Sequence, residues 1–242
     1  MSVSDVIYPN QPLVEVVFEI RFPGDVRIEC ERHLFWEKIK EDYPNILVPR
    51  PNPEQAVALM PYRFRSKDQS MTVLVSLNTF AVSTTVYPGY KEFSKEVLRL
   101  YEIFGSLYKL EKLNRVGWRY VNVIQFVREN RTIPLSNFLT LGFKVPESIP
   151  EEFINLNLVF ESEHKGASVI TRLETIESTT SVVGSKEALL LDFDYGKVPS
   201  DDEELVFPKV PEYLDMAHSK TRQLFEEFIT EDYRQYLKGD VI

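Results

Sequence analysis

Leu13-Val14-Glu15-Val16-Val17-Phe18-Glu19-Ile20-Arg21-Phe22 is the stretch whose reading decides the fold. Val14, Val16, Phe18, Ile20 and Phe22 alternate with Glu15, Glu19 and Arg21. A period of two places successive side chains on opposite faces, so this is a strand with one buried face and one charged face. The next segment is helical: Phe35, Ile39 and Tyr43 recur every four residues, and Pro44 closes the run. Three strand-like runs come after it, Ala56–Phe64, Met71–Leu77 and Phe80–Val86, with Asn78-Thr79 as the turn between the last two. Tyr87-Pro88-Gly89 breaks the chain. A long helix then shows one apolar face through Tyr90, Phe93, Val97, Tyr101 and Phe104.

The order strand, helix, three strands, helix is then read a second time. Val116–Phe126 is a strand and Leu135–Leu139 a short helix opened by Pro134. Ile154–Glu161, Val169–Ile176 and Ala188–Tyr195 are the three strands. A last helix opens at Pro211-Glu212-Tyr213 and turns Ala217, Leu224, Phe225 and Phe228 inward. Both long helices begin Pro-x-Tyr, at Pro88-Gly89-Tyr90 and at Pro211-Glu212-Tyr213. The expectation is one compact α+β unit over 1–242. Its sheet is largely antiparallel with long helices on one face, and it is built from pseudo-repeats 1–107 and 108–242. The element order is similar to that of TATA-binding-protein-like and helix-grip folds, a likeness of architecture that says nothing of activity.

Linkers are few. Ile46–Pro53 and Val145–Pro150 read as Pro-marked connectors. Lys197–Pro211 reads as a solvated acidic loop whose Leu205-Val206-Phe207 tip docks back on the body.

The 242 residues are 43% hydrophobic and 27% charged, enough apolar material for a sizeable core and too ordered a composition for disorder. The formal net charge is −9 and the pI about 5.0, which disfavours non-specific binding to nucleic-acid phosphates. One cysteine, Cys30, excludes an internal disulfide, and three histidines exclude a His-rich metal site. Both fit a reducing cytoplasm. The N-terminal residues lack a basic-then-apolar pattern, so no signal peptide is expected. The uncharged run Met71–Tyr90 is rich in Thr and Ser and alternates, as a hairpin does and a membrane span does not.

Signatures of common enzymes are missing: no phosphate loop, no dinucleotide-binding glycine fingerprint and no G-x-S-x-G elbow. Asp192 and Asp194 lie two apart on a strand and share a face. Such a pair suits a Mg²⁺-dependent phosphodiesterase, but two carboxylates alone specify little, and a polar sheet face explains them as well. His33, His164 and His218 fall on separate elements; His218 on the last helix is the one with the position of a general base, and a helix-surface or core-edge histidine is its ordinary reading.

The charged sheet face gathers the remaining candidates. Glu15, Glu19 and Arg21 share it on the first strand; Arg115 and Arg119 share it on the corresponding strand of the second unit; Asp192 and Asp194 join them. Cross-strand ion pairs on a solvated face are the default account. A platform that recognises another protein is the functional one. A pocket lined by Trp118, Tyr120 and Phe193, taking a small apolar or acidic ligand, is a further alternative. No cofactor and no metal is expected.

Four segments, Pro12–Phe22, Gly117–Asn122, Leu191–Asp194 and Phe225–Thr230, resemble those of a sporadically distributed family of uncharacterised prokaryotic proteins of about this length. The similarity spans almost the whole chain. It implies no activity and carries no catalytic residue. A patchy distribution implies an accessory or defence locus.

Overall fold

The computed structural model describes residues 6–48, 61–142, 146, 148–149, 154–177, 187–200 and 203–239. Strand β1 (Leu13–Arg21) leads into helix α1 (Val26–Ile39) and strands β2 (Asn45–Leu47), β3 (Tyr62–Arg65), β4 (Met71–Val75) and β5 (Thr79–Thr84). Helix α2 (Tyr90–Tyr108) and strand β6 (Arg115–Gln125) come next, then α3 (Leu135–Phe138), β7 (Asn157–His164), β8 (Ala167–Glu177) and β9 (Glu187–Lys197). A 3₁₀ turn at Phe207–Lys209 runs into α4 (Val210–Phe228), and α5 (Glu231–Lys238) ends the described chain. All nine strands form one antiparallel sheet in the order β2-β3-β4-β5-β1-β6-β9-β8-β7. The fold is therefore α+β, as the alternating patterns required. None of the described helices is long and apolar enough to cross a membrane.

Local chemistry sets the element ends. Asp25 caps α1, its carboxylate accepting from the Arg27 backbone N–H. Gly89 precedes α2 with φ at 101°, a conformation only glycine adopts without strain. Thr230 caps α5 by accepting from the Tyr233 N–H, and Gly239 ends it in the left-handed region.

The core lies between the sheet and the helices. Val16, Phe18 and Ile20 of β1 are fully buried beneath α1 and α2. Phe80 and Phe104 stack with centroids 4.5 Å apart, and Phe35 meets both edge-on at 5.9 and 5.5 Å. A second cluster joins Ile124, Leu189, Leu191 and Phe193 to Phe225 of α4 and Leu237 of α5. Among the described residues no helix packs on the other face of the sheet.

Several boundaries differ from those expected. Helix α1 stops at Ile39; Tyr43 is buried beyond it, its N–H bonded to the Ile39 carbonyl in a closing turn. Asn45–Leu47 is an edge strand on β3, where a connector beginning at Ile46 was expected, because its backbone finds Arg63–Arg65 to pair with. Residues 49–53 of that connector, and Ala56–Met60 of the next expected strand, lie outside the described residues. The β4–β5 turn is centred on Leu77-Asn78, one residue earlier than expected: the Ser76 N–H bonds the Thr79 carbonyl, and Thr79 already belongs to β5. Strand β7 runs three residues later than Ile154–Glu161. Helix α5 was not expected, since eight residues offer little periodicity.

The segment before α4 docks as expected. Leu205 is buried, Phe207 stacks on Tyr101 at 3.8 Å, and the Tyr101 hydroxyl donates to the Phe207 carbonyl. Gly105 makes this possible, since a Cβ there would stand 2.0 Å from the Phe207 ring.

Candidate functional site

The sheet face opposite the helices assembles from alternation. Wherever β1, β6, β8 and β9 bury one residue under the helices, the next projects to this side. Register then decides which charges meet. Glu19 lies opposite Gly117, and Gly117 opposite Gly196, so two glycines sit side by side on adjacent strands. Arg115 lies across this gap: a Cβ at Gly117 would stand 2.1 Å from its Nη1, and one at Gly196 2.9 Å from its Nη2. From there Nη1 donates to Glu19 Oε1 at 2.9 Å and Nη2 to Asp194 Oδ1 at 2.6 Å. Arg21 Nε donates to the same Glu19 oxygen at 2.8 Å. Glycine in a strand gives up side-chain packing and chain entropy; here it provides the floor on which a guanidinium lies flat.

A second network stands one step along. Asp192 has no exposed surface, yet it belongs to the open face. It is covered by two arginines. Arg119 donates through Nε at 2.7 Å and Nη2 at 2.9 Å, and Arg172, directly across on β8, donates through Nη1 at 2.9 Å. The paired fork is the strong geometry for this contact. The hydrogen bond to Asp192 raises the Arg119 pKa further above its ordinary value. The guanidinium side chains remain 41% and 36% exposed, so the carboxylate is dry and its partners are wet.

The structure thus brings together six of the seven residues picked from sequence, in two networks: Glu19, Arg21, Arg115 and Asp194, and Arg119 with Asp192. Glu15 shares the face, opposite Val121, beside the second network. Arg172 was missed. Its signal was present in the alternation of Val169, Thr171 and Leu173, which turns Arg172 outward.

The same geometry bears on the paired carboxylates. Asp192 and Asp194 each accept from guanidinium groups, and three arginines surround them. Fixed positive charge at that distance opposes a divalent cation. Among the described residues no group of three or more His, Cys, Asp or Glu is placed to hold one.

The aromatic residues Trp118, Tyr120 and Phe193, expected to line a pocket, take different places. Trp118 and Phe193 are core residues, 1% and 0% exposed, because both project under the helices. Tyr120 borders a cavity, which Tyr8, Leu13, Tyr87, His218 and Phe225 also border. It encloses about 30 Å³, room for about two waters. A hydrogen-bonded chain runs along its wall: Tyr87 Oη to Tyr120 Oη at 2.9 Å, and Tyr120 Oη to His218 Nδ1 at 2.8 Å. The His218 ring stacks on Tyr90 at 3.9 Å. His218 is a core-edge histidine, as its ordinary reading had it, and its tyrosine partners come from elements far away in sequence.

Comparison of the chain with protein-family models and with curated proteins gave no match.

Proposed function

We propose that this is a non-catalytic binding protein that engages another protein through its open sheet face. The observation carrying this reading is a nine-stranded face with no described helix on it, whose charges at the centre are held in fixed positions by Glu19–Arg115–Asp194 and Arg119–Asp192–Arg172. Pre-organised charges lose little freedom when a partner docks, and complementary charge gives specificity more than raw affinity. Outward from the β1–β6 pair the strands run β5, β4, β3 on one side and β9, β8, β7 on the other. That order supports duplication of a strand–helix–three-strand–helix unit and a likeness to the TATA-binding-protein architecture. The acidic net charge separates the protein from a general nucleic-acid binder. We place it in the cytoplasm, and the resemblance to a sporadically distributed prokaryotic family supports an accessory or defence locus.

A small-ligand reading rests on the cavity at Tyr120 and His218. Its volume of about 30 Å³ falls far below the roughly 300 Å³ of ordinary ligand sites, which ranks it second.

The test is a pull-down from host extract with the wild type and with a variant carrying Glu15→Gln, Arg21→Gln and Arg119→Gln. These changes strip charge from the centre of the face and keep the Arg115 bridge. Loss of a specific partner by a variant that still melts cooperatively supports the reading. A partner set that survives all three changes overturns it.

A further inference from the structure

The open face is electrically lopsided. On β3, Arg63 and Arg65 project to it, and no acidic residue does so on β2, β3, β4 or β5. On β7 at the far side, Glu161 and Glu163 project to it, both exposed. Among the described residues none of these four side chains forms an ion pair. Arg65 Nε is even buried without a hydrogen-bond partner, and Glu161 accepts only from Ser168 Oγ at 2.7 Å. The middle of the sheet has neutralised its charges internally; the two sides have not.

Register carries the imbalance straight across the sheet. From Arg65 the ladder runs through Thr72, Ser83, Val17, Arg119, Asp194 and Ile170 to Glu161. From Arg63 it runs through Leu74, Ala81, Glu19, Gly117, Gly196 and Ser168 to Glu163. Each of these arginines therefore stands level with a glutamate seven strands away.

We propose that the occupant of this face is a second copy of the chain, stacked face to face about a two-fold axis parallel to the strands between β1 and β6. This rests on the reading of the open face as the binding surface and names its partner. The operation lays β3 over the second copy's β7, β4 over its β8, β5 over its β9 and β1 over its β6, because those pairs are equidistant from the axis. An axis along the strands preserves level. Arg65 then meets the second copy's Glu161, and Arg63 its Glu163, and both contacts occur twice, as an isologous interface requires. Between them, on the same two levels, Thr72 lies over Ile170, Leu74 over Ser168, Ala81 over Gly196 and Val17 over Arg119; at the end of β1, Arg21 lies over the second copy's Arg115, each already paired with Glu19 of its own chain. The operation also maps a regularly twisted sheet onto a nesting surface, so twist does not part the copies. Eight strands at about 4.8 Å spacing and roughly 25 Å of mean length give a face on the order of 800 Å², the contribution of one partner to a standard stable interface.

The experiment is sedimentation equilibrium on the purified full chain. The wild type should be dimeric. Arg63→Glu with Arg65→Glu should raise the dissociation constant at least about tenfold, since like charges then oppose each other at all four contacts. Glu161→Arg with Glu163→Arg should do the same. The decisive arms are compensating: an equimolar mixture of the two variants, and one chain carrying all four changes, should both return to dimer. Melts of each variant taken as monomer control for folding. A monomeric wild type overturns the proposal, as does a dimer indifferent to either reversal, or a failure of both compensating arms. The outcome is separable from the surface reading: a monomeric chain whose partner in the pull-down is lost on neutralising the centre of the face keeps that reading and removes the second copy as occupant.

Discussion

The two faces of the sheet are made by the same strands and solve opposite problems. Under the helices, position 18 is a phenylalanine with no exposed surface, packed by shape against Tyr101. On the open side, position 19 is a glutamate held by two arginines. Adjacent residues thus use different physics. The helix face gains from excluding water, at roughly 25 cal/mol per Å². The open face gains little net from its ion pairs, because taking Arg115, Asp194 and Asp192 out of water offsets much of their attraction, and it gives over two glycines to setting their positions. A face can therefore be highly organised without being important to stability.

That contrast is breakable by substitution. Phe104→Ala should cost about 3–5 kcal/mol, because its ring packs on Phe22, Phe35, Phe80 and Tyr108 at once and leaves a cavity. Chemical denaturation reads this directly. A loss below about 1 kcal/mol would mean the helix layer is loosely packed.

Asp192→Asn comes next, at about 2 kcal/mol. It removes the one fully dry charge among the described residues of the open face, but Arg119 and Arg172 are exposed enough to hydrate, so the cost stays below that of stranding a buried charge. A cost equal to that of Phe104→Ala would erase the distinction between the faces.

Gly117→Ala balances two terms. The methyl must evict the Arg115 guanidinium, while alanine regains about 0.5–1 kcal/mol of chain entropy. The net should be a loss of about 1 kcal/mol or less. The sharper measurement is the double-mutant cycle with Arg115→Ala. Once the guanidinium is gone, Gly117→Ala should become neutral or stabilising. Unchanged cost in that background would mean the glycine serves the backbone and not Arg115.

The smallest effect concerns pH. His164 is held below its ordinary pKa of 6.5, first by desolvation and then by Lys220 and Lys165. The unfolded chain therefore binds a proton that the folded chain refuses. Stability contributed by this group is present above about pH 6.5 and declines as pH falls from there towards the folded value. Melting temperature should drop over that range, and less so in His164→Gln. Identical profiles would remove His164 as the cause.

Much of this was legible in the chain. Period-two alternation in β1, β6 and β9 defined both faces, and so placed Glu19, Arg21, Arg115, Arg119, Asp192 and Asp194 together from the residue order alone. Register was not legible, and register is what matters here. Nothing local says that Gly117 lies beside Gly196, or that Asp192 meets Arg172. Those pairings are set by β6–β9 and β8–β9 contacts between segments up to some eighty residues apart. The Tyr87–Tyr120–His218 chain was hidden because helix packing brings His218 to β6 from 98 residues away in sequence. Parity puts Trp118, Tyr120 and Phe193 together on the helix side, and how deeply each is buried there depends on the helices packed above, which strand alternation does not show.

Strand β1 is made first but sits in the middle of the sheet, between β5 and β6. Its β5 neighbour begins at Thr79; its β6 neighbour begins at Arg115, ninety-four residues beyond Arg21. At about 5–20 residues per second, synthesis leaves one flank of β1 without its mate for on the order of 5–20 s. During that interval the future centre of the sheet is an unguarded edge, carrying Val14, Val16, Phe18 and Ile20. Glu15, Glu19 and Arg21 then act in time as well as in space. On the nascent chain they are gatekeepers that make pairing with a stranger costly until the intended strand is delivered.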